Sequence, residues 1–321
     1  MNETVERFRC FGCDCAVYVI GDAPERSAAQ AATWARDRLL ELHERFSRFL
    51  PDSELSRFNR DPRERIPVTP LLAQLAQATR AAGAVSDGLI DATLLREVQD
   101  AGYTGDLRAA MPLPLALALA PARRPAGASP RADYARIAVD LTAPAVTRPP
   151  GVMLDSGGLA KGLFADTIAD SLGGHASFAV DCGGDLALGG AALRERPIQV
   201  QSPFDRSVVH TVEVREGGVA TSGIGRRSWL DERGRCAHHL LDPATGRPAF
   251  TGVVQTTAFA PSALLAEIHA KAALLSGPET AERWLPWGGV VVLDDASHRV
   301  VAPRSDTEPA QPMGAMRLCG A

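Results

Sequence analysis

The chain has 321 residues, 45% of them apolar and 22% charged, with a formal net charge of −4. That balance describes a folded globular protein with a sizeable core rather than a disordered chain, and it offers no bulk attraction for nucleic acid. No run reaches the ~18 uncharged apolar residues of a membrane span, and Met1 to Cys15 lacks the apolar centre of an export signal, so a cytoplasmic protein without a membrane segment is expected.

The first predicted element is a strand over about residues 9–20. It carries Cys10, Cys13 and Cys15, half of the six cysteines. No second Cys/His pair sits at ligand spacing, so reduced thiols read better than a metal site. A helix is predicted over about 31–49, where Ala35, Leu39, Leu42, Phe46 and Phe49 recur in steps of three and four. Residues 53–59 read as a polar loop or short turn. Leu71, Leu72, Leu75 and Ala78 mark a second helix over about 69–84. Residues 106–133 are rich in Ala, Pro and Arg and read as a surface insertion or low-complexity loop. One large domain or two closely packed ones would fit the length.

Residues 153–162 read as a strand end, a glycine turn and a helix start, with Leu163, Phe164, Ile168 and Leu172 at helical spacing behind them. The free N–H groups of a helix N-terminus and the charge of Lys161 suit an anion such as a phosphate. A plain tight turn fits the same residues. Two familiar loops are excluded: Ala160 and Gly162 flank Lys161 where a Walker A loop needs Gly and Ser or Thr, and Gly157, Gly158 and Gly162 miss the dinucleotide spacing.

The second half reads as short strands at 178–181, 198–201, 208–214, 253–259 and 290–294, with a helix over 262–275. The mixture predicts an α+β fold, a mixed sheet covered by helices on one side. Four clusters punctuate it. Asp181, Gly183, Gly184 and Asp185 read as a hairpin turn. Thr221, Ser222 and Gly223, with Arg226 and Arg227 close behind, suit either an anionic group or a capped turn. His239 stands three residues ahead of Asp242 in a strong turn sequence and could face the same cavity. Glu267 and Lys271 are one helical turn apart, which alone is a simple i,i+4 ion pair.

In order and spacing, these clusters together resemble the ApbE family of flavin transferases, which move FMN from FAD onto a Thr or Ser of an acceptor protein. The resemblance covers about residues 8–293, interrupted by the Pro/Ala-rich insertion. Phe11-Gly12-Cys13 stands where the family has Met-Gly-Thr, and Ser53 to Asn59 matches its Ser-x-Leu-Ser-x-x-Asn segment. Gly88 to Thr93 matches Gly-x-Phe-Asp-Pro-Thr with Ala92 in place of Pro, and Asp155 to Gly162 matches Asp-x-Gly-Gly-x-Ala-Lys-Gly. The Gly-Gly-Asp, Ala-Thr-Ser-Gly and His-x-x-Asp-Pro-x-Thr-Gly elements follow in family order.

The resemblance implies one ApbE-like catalytic unit over 1–304, a central flavin-nucleotide cleft, and a loose tail over 305–321. It implies FAD as substrate, bound by Phe11, Asp155, Gly157, Lys161, Gly183, Gly184, Asp185, Thr221, Ser222, Gly223 and His239. His239, Lys161 and Asp242 would be catalytic. A magnesium ion would be held by the Gly158 carbonyl and Glu267, with Lys271 standing at the usual Thr ligand position. An ammonium cannot ligate magnesium, so either the metal site is rebuilt from other oxygens or Lys271 brings positive charge to the pyrophosphate. The partner implied is an acceptor protein with a Thr/Ser target motif; the alternative is an FAD pyrophosphatase or a relative that only holds FAD.

Overall fold

In the computed structural model, which describes residues 2–105 and 110–305, the N-terminus folds back on itself. β1 (Glu3–Cys10) and β2 (Cys13–Ile20) pair antiparallel, where one strand over 9–20 was expected. Phe11 and Gly12 turn the chain with φ of 53° and 69°. Such left-handed pairs match strand twist in a two-residue hairpin, but their usual sequence signal is Asn-Gly, and Phe11 hides it.

The sheet continues through β3 (Ser177–Asp181), β4 (Asp185–Gly189), β5 (Gly217–Gly223), β6 (Val253–Ala260), β7 (Gly289–Leu293) and β8 (His298–Val301). These eight strands lie side by side in chain order, each antiparallel to its neighbours. Thr221, Ser222 and Gly223 of β5 were expected to suit an anionic group or a capped turn. β5 is a central strand whose small residues make room: a Cβ on Gly218 would lie 2.2 Å from the Ser262 carbonyl carbon.

The helices are α1 (Ala28–Phe46), α2 (Glu54–Arg60), α3 (Pro70–Val85), α4 (Leu95–Asp100), α5 (Leu113–Ala118), α6 (Ala160–Ala169) and α7 (Ala263–Ser276). α1 packs on β1 and β2, α6 on β3 and β4, and α7 on β5 and β6. Val17, Val19, Val180 and Ala187 share the sheet face that meets Leu39 of α1 and Phe164 of α6. On the opposite face, Tyr18, Ala179, Leu188 and Val219 meet Ile198 and Val214 of a two-stranded ribbon. The α+β reading, with helices on one side, is what the chain builds.

Local chemistry moves some boundaries. α1 begins earlier than expected because Ser27 and Gln30 close a capping box at 3.3 and 3.0 Å. Residues 53–59 form α2, not a loop: the Ser53 hydroxyl accepts from Ser56 N at 3.0 Å, while Leu55 and Phe58 are buried. The described part of the 106–133 stretch is likewise no simple surface insertion. Leu113 and Ala116 of α5 are buried in a second apolar cluster with Phe250, Leu274 and Val291. Beyond them, Arg124 N and Ala126 N donate to the Phe250 and Leu275 carbonyls, each at 2.9 Å. Residues 106–109, and the expected tail from 306 onward with Cys319, lie outside the described residues. No described helix is long and apolar enough to cross a membrane.

Candidate active site

A cleft of about 290 Å³ opens on the helical side of the sheet. Its walls come from the β1–β2 turn, the C-terminal end of α1, the segment before α4, the start of α6, residues 239–241 and 243, and α7. Phe11, Asp155, Gly157, Gly158, Lys161, His239 and Lys271 all line it, so seven residues singled out along 261 positions of chain meet at one place.

The glycine turn at the mouth of α6 is fixed from several sides. Leu154, fully buried, exchanges two hydrogen bonds with the Asn59 side chain, both 2.8 Å. Asp155 N donates to the Ala92 carbonyl at 2.8 Å, the Asp155 carboxylate accepts from Gly157 N at 3.0 Å, and the Ser156 hydroxyl donates to the Phe46 carbonyl at 2.8 Å. The segments 53–59 and 88–93 therefore serve as a frame for the turn.

From the first turn of α6, Lys161 pairs with Asp185, which is 1% exposed. Burial alone would push this ammonium down, but Asp185 and then Glu267 hold it above its ordinary value. Gly183 and Gly184, at φ of 74° and 99°, do not reach the cleft wall. Their turn places Asp185, with Gly184 N donating to Asp181 at 2.7 Å. Beside them the Cys13 and Cys15 sulfurs lie 3.9 Å apart. Their mutual hydrogen bond, then burial, keeps the Cys13 thiol well above its usual range and so protonated.

His239 lines the cleft, and its Nδ1 is buried with no hydrogen-bond partner among the described residues. Burial first, then the charge of Arg227, hold this imidazole well below its ordinary 6.5, so it is neutral at neutral pH. Its neighbour His238 turns into the core instead, edge-on to Phe250 at 4.7 Å. Asp242 does not line the cleft. Its carboxylate accepts from Gly127 N at 2.9 Å, Ala244 N at 3.0 Å and the Thr245 hydroxyl at 2.9 Å, which is the work of a turn builder rather than a base. Thr221, Ser222 and Gly223 lie within β5, off the cleft wall. Alternation along the strand turns Thr221 to the face away from the helices, where it bonds Thr257 at 2.8 Å.

Glu267 and Lys271 form a buried pair. Glu267 is fully buried, and Lys271 Nζ donates to its Oε1 at 2.7 Å while Gly162 N donates to its Oε2 at 2.9 Å. Burial raises the carboxyl above its usual range against the pull of the Lys271 ammonium. This donor set does not fit a magnesium ion: both carboxylate oxygens already have protein donors, and the group one turn along is a cation. Among the described residues no group of three His, Cys, Asp or Glu side chains is arranged to hold a metal ion.

Among the wall residues that the sequence reading did not name as site members are Arg48, Phe49 and Tyr103. Arg48 lies against Asp155 (Nε–Oδ1 3.4 Å) and 4.5 Å from the ring centroids of both Phe49 and Tyr103, while Tyr103 stacks on Trp229 at 5.3 Å. The sequence reading placed Arg48 and Phe49 inside the first helix, but α1 ends at Phe46, which frees the pair for the cleft wall, and its partners come from distant segments.

The ApbE family profile matches residues 11–292. The FAD:protein FMN transferase of Salmonella typhimurium is 28% identical over 77% of this chain and 71% of its own length. That of Vibrio cholerae is 30% identical over 76% and 72%, respectively. The solved ApbE protein of Thermotoga maritima superposes with a TM-score of 0.74 at 24% identity, covering 94% of this chain and 97% of that one. The apo flavinyl transferase ApbE of Pseudomonas stutzeri gives 0.72 at 22%, covering 94% and 95%. With a family match over nearly the whole described chain and a glycine turn, lysine and histidine meeting in one cleft, this chain belongs to the ApbE family.

Proposed function

We propose that this protein transfers FMN from FAD to a Thr or Ser hydroxyl of an acceptor protein, releasing AMP, and that residues 1–304 act as one catalytic unit. The observation that carries the reading is the convergence of Lys161, Arg227 and Lys271 beside the glycine turn of a largely apolar, aromatic-rimmed cleft. A pyrophosphate needs the cations, and FAD's planar rings need the aromatic wall of Phe49 and Tyr103. The relatives' shared name, FAD:protein FMN transferase, supports the same chemistry.

In the reaction, the acceptor oxygen forms a bond to the FMN phosphorus while the bridging P–O bond breaks and AMP leaves. Charge spreads over the phosphoryl oxygens, so positioning and electrostatic stabilisation supply most of the acceleration. Lys161, oriented by Asp185, and Arg227, whose Nη2 donates to the Phe11 carbonyl at 3.1 Å, are preset against those oxygens. The neutral His239, whose Nδ1 has no hydrogen-bond partner among the described residues, takes the proton of the attacking hydroxyl. Asp155, tied to Arg48 and the turn, holds the wall on which the nucleotide rests.

The test is incubation with FAD and an acceptor carrying an exposed Thr/Ser target segment, following AMP by chromatography and the acceptor by intact mass. One FMN added per acceptor, with matching AMP, is expected. AMP and free FMN without modified acceptor would make the protein a pyrophosphatase instead.

A further inference from the structure

The Glu267–Lys271 pair is placed as no ordinary helical ion pair is. Both side chains are buried, Glu267 at 0% and Lys271 at 7% exposed, yet Lys271 lines the cleft. A desolvated pair of this kind gains little for stability over apolar residues of the same size. What it does give is a cation at a fixed point. Glu267 is itself immobilised by Gly162 N at the start of α6, so the ammonium it holds is registered to the glycine turn and to Lys161. Glu267 takes one of the three Lys271 N–H groups, and the others are available to oxygens entering the cleft. Lys161 and Lys271 are each matched by a buried carboxylate, Asp185 and Glu267, and Arg227 joins them on the cleft wall, so what this wall offers an oxyanion is N–H groups held at fixed points.

We infer that Lys271, held by Glu267, is the resident cation for the FAD pyrophosphate, and that it replaces the magnesium ion implied by family resemblance, so that this chain binds FAD without a divalent metal. The inference rests on the FAD reading above. It converts the misfit of the magnesium site into a role for the residue that causes it.

FAD affinity, measured by flavin fluorescence in EDTA and in magnesium, tests it. The wild-type protein should bind equally in both. Lys271→Thr should lose affinity in EDTA by about tenfold, the effect of one well-placed charge contact, and recover in magnesium because the freed Glu267 carboxylate then accepts a metal. Magnesium should also raise the melting temperature of Lys271→Thr without FAD, and not that of wild type. Glu267→Gln/Lys271→Met, which removes both charges and leaves none buried alone, guards against misfolding and should lose affinity with no magnesium rescue. Wild-type binding that requires magnesium, or Lys271→Thr binding like wild type in EDTA, would overturn the inference while leaving the functional reading intact. FAD bound metal-free but never transferred would sink the transferase reading and leave the inference standing. No FAD binding under any condition would remove both.

Discussion

His238 and His239 are adjacent and chemically identical, yet the chain uses them for opposite ends. His238 is fully buried, its Nδ1 accepting from Leu240 N at 3.3 Å, and burial lowers its pKa to about 4. Its folded value lies below its ordinary one, so above about 6.5 it costs nothing. As the pH falls from there towards about 4, the unfolded chain takes a proton that the folded chain refuses, and stability is lost, in full about 3 kcal/mol. Asp166 acts in the other direction, since burial raises it to about 6. The difference between wild type and a variant isolates the histidine: His238→Asn keeps an acceptor for Leu240 N–H but cannot titrate. Its melting temperature should fall less on acidification; superimposable pH profiles would rule the account out. At this scale the sequence made Lys161 and His239 legible, because a cation after a glycine pair and an imidazole before a turn are local patterns. It misplaced Asp242 and Thr221, whose oxygens are occupied by Gly127 and Thr257 from remote parts of the chain.

At the scale of elements, α6 and α7 pack on each other and both line the cleft. Gly162 lets them cross closely: a Cβ there would lie 2.7 Å from the Ala263 carbonyl oxygen and 2.8 Å from the Leu264 Cα, both backbone. Asp166 then caps α7 from below, accepting from Ala263 N at 2.8 Å and Leu264 N at 2.9 Å. Gly162→Ala would gain about 1 kcal/mol in helix propensity, but the clash with backbone outweighs it. A net loss of about 2 kcal/mol is expected, visible as a melting point several degrees lower, together with weaker FAD binding as Glu267 loses its place. An unchanged melting point would show that the helices can part freely. Helices with a single apolar stripe, such as α1, were readable from periodicity. β5 was not, because Gly217, Gly218 and Ala220 answer to the helix above them and not to strand propensity.

Across the whole molecule, the cleft sits where separate apolar clusters meet. Phe46 and Phe164 belong to one, Leu240 and Leu275 to a second, and Tyr103 and Leu241 to a third. The stretch expected as an insertion helps build the second of these. Leu113→Ala should therefore cost about 3 kcal/mol in chemical denaturation, as for a core leucine; a loss within about 0.5 kcal/mol would return the segment to the surface. The α+β architecture was legible from the mixture of strand and helix patterns, but the role of that stretch was not, since Pro- and Ala-rich composition gives no sign of what it covers.

The strands stand in chain order, but not at even intervals: residues 21–176 separate β2 from its neighbour β3. The first hairpin can form as soon as it is synthesised, then must wait, with one edge open, until nearly the whole helical layer has been made. Closing a loop of that length costs on the order of 4 kcal/mol in chain entropy, and an unpaired edge in the meantime invites wrong partners. β3 to β8 need no such wait, so the nascent chain should acquire its C-terminal strands as a growing sheet and recruit its own beginning late.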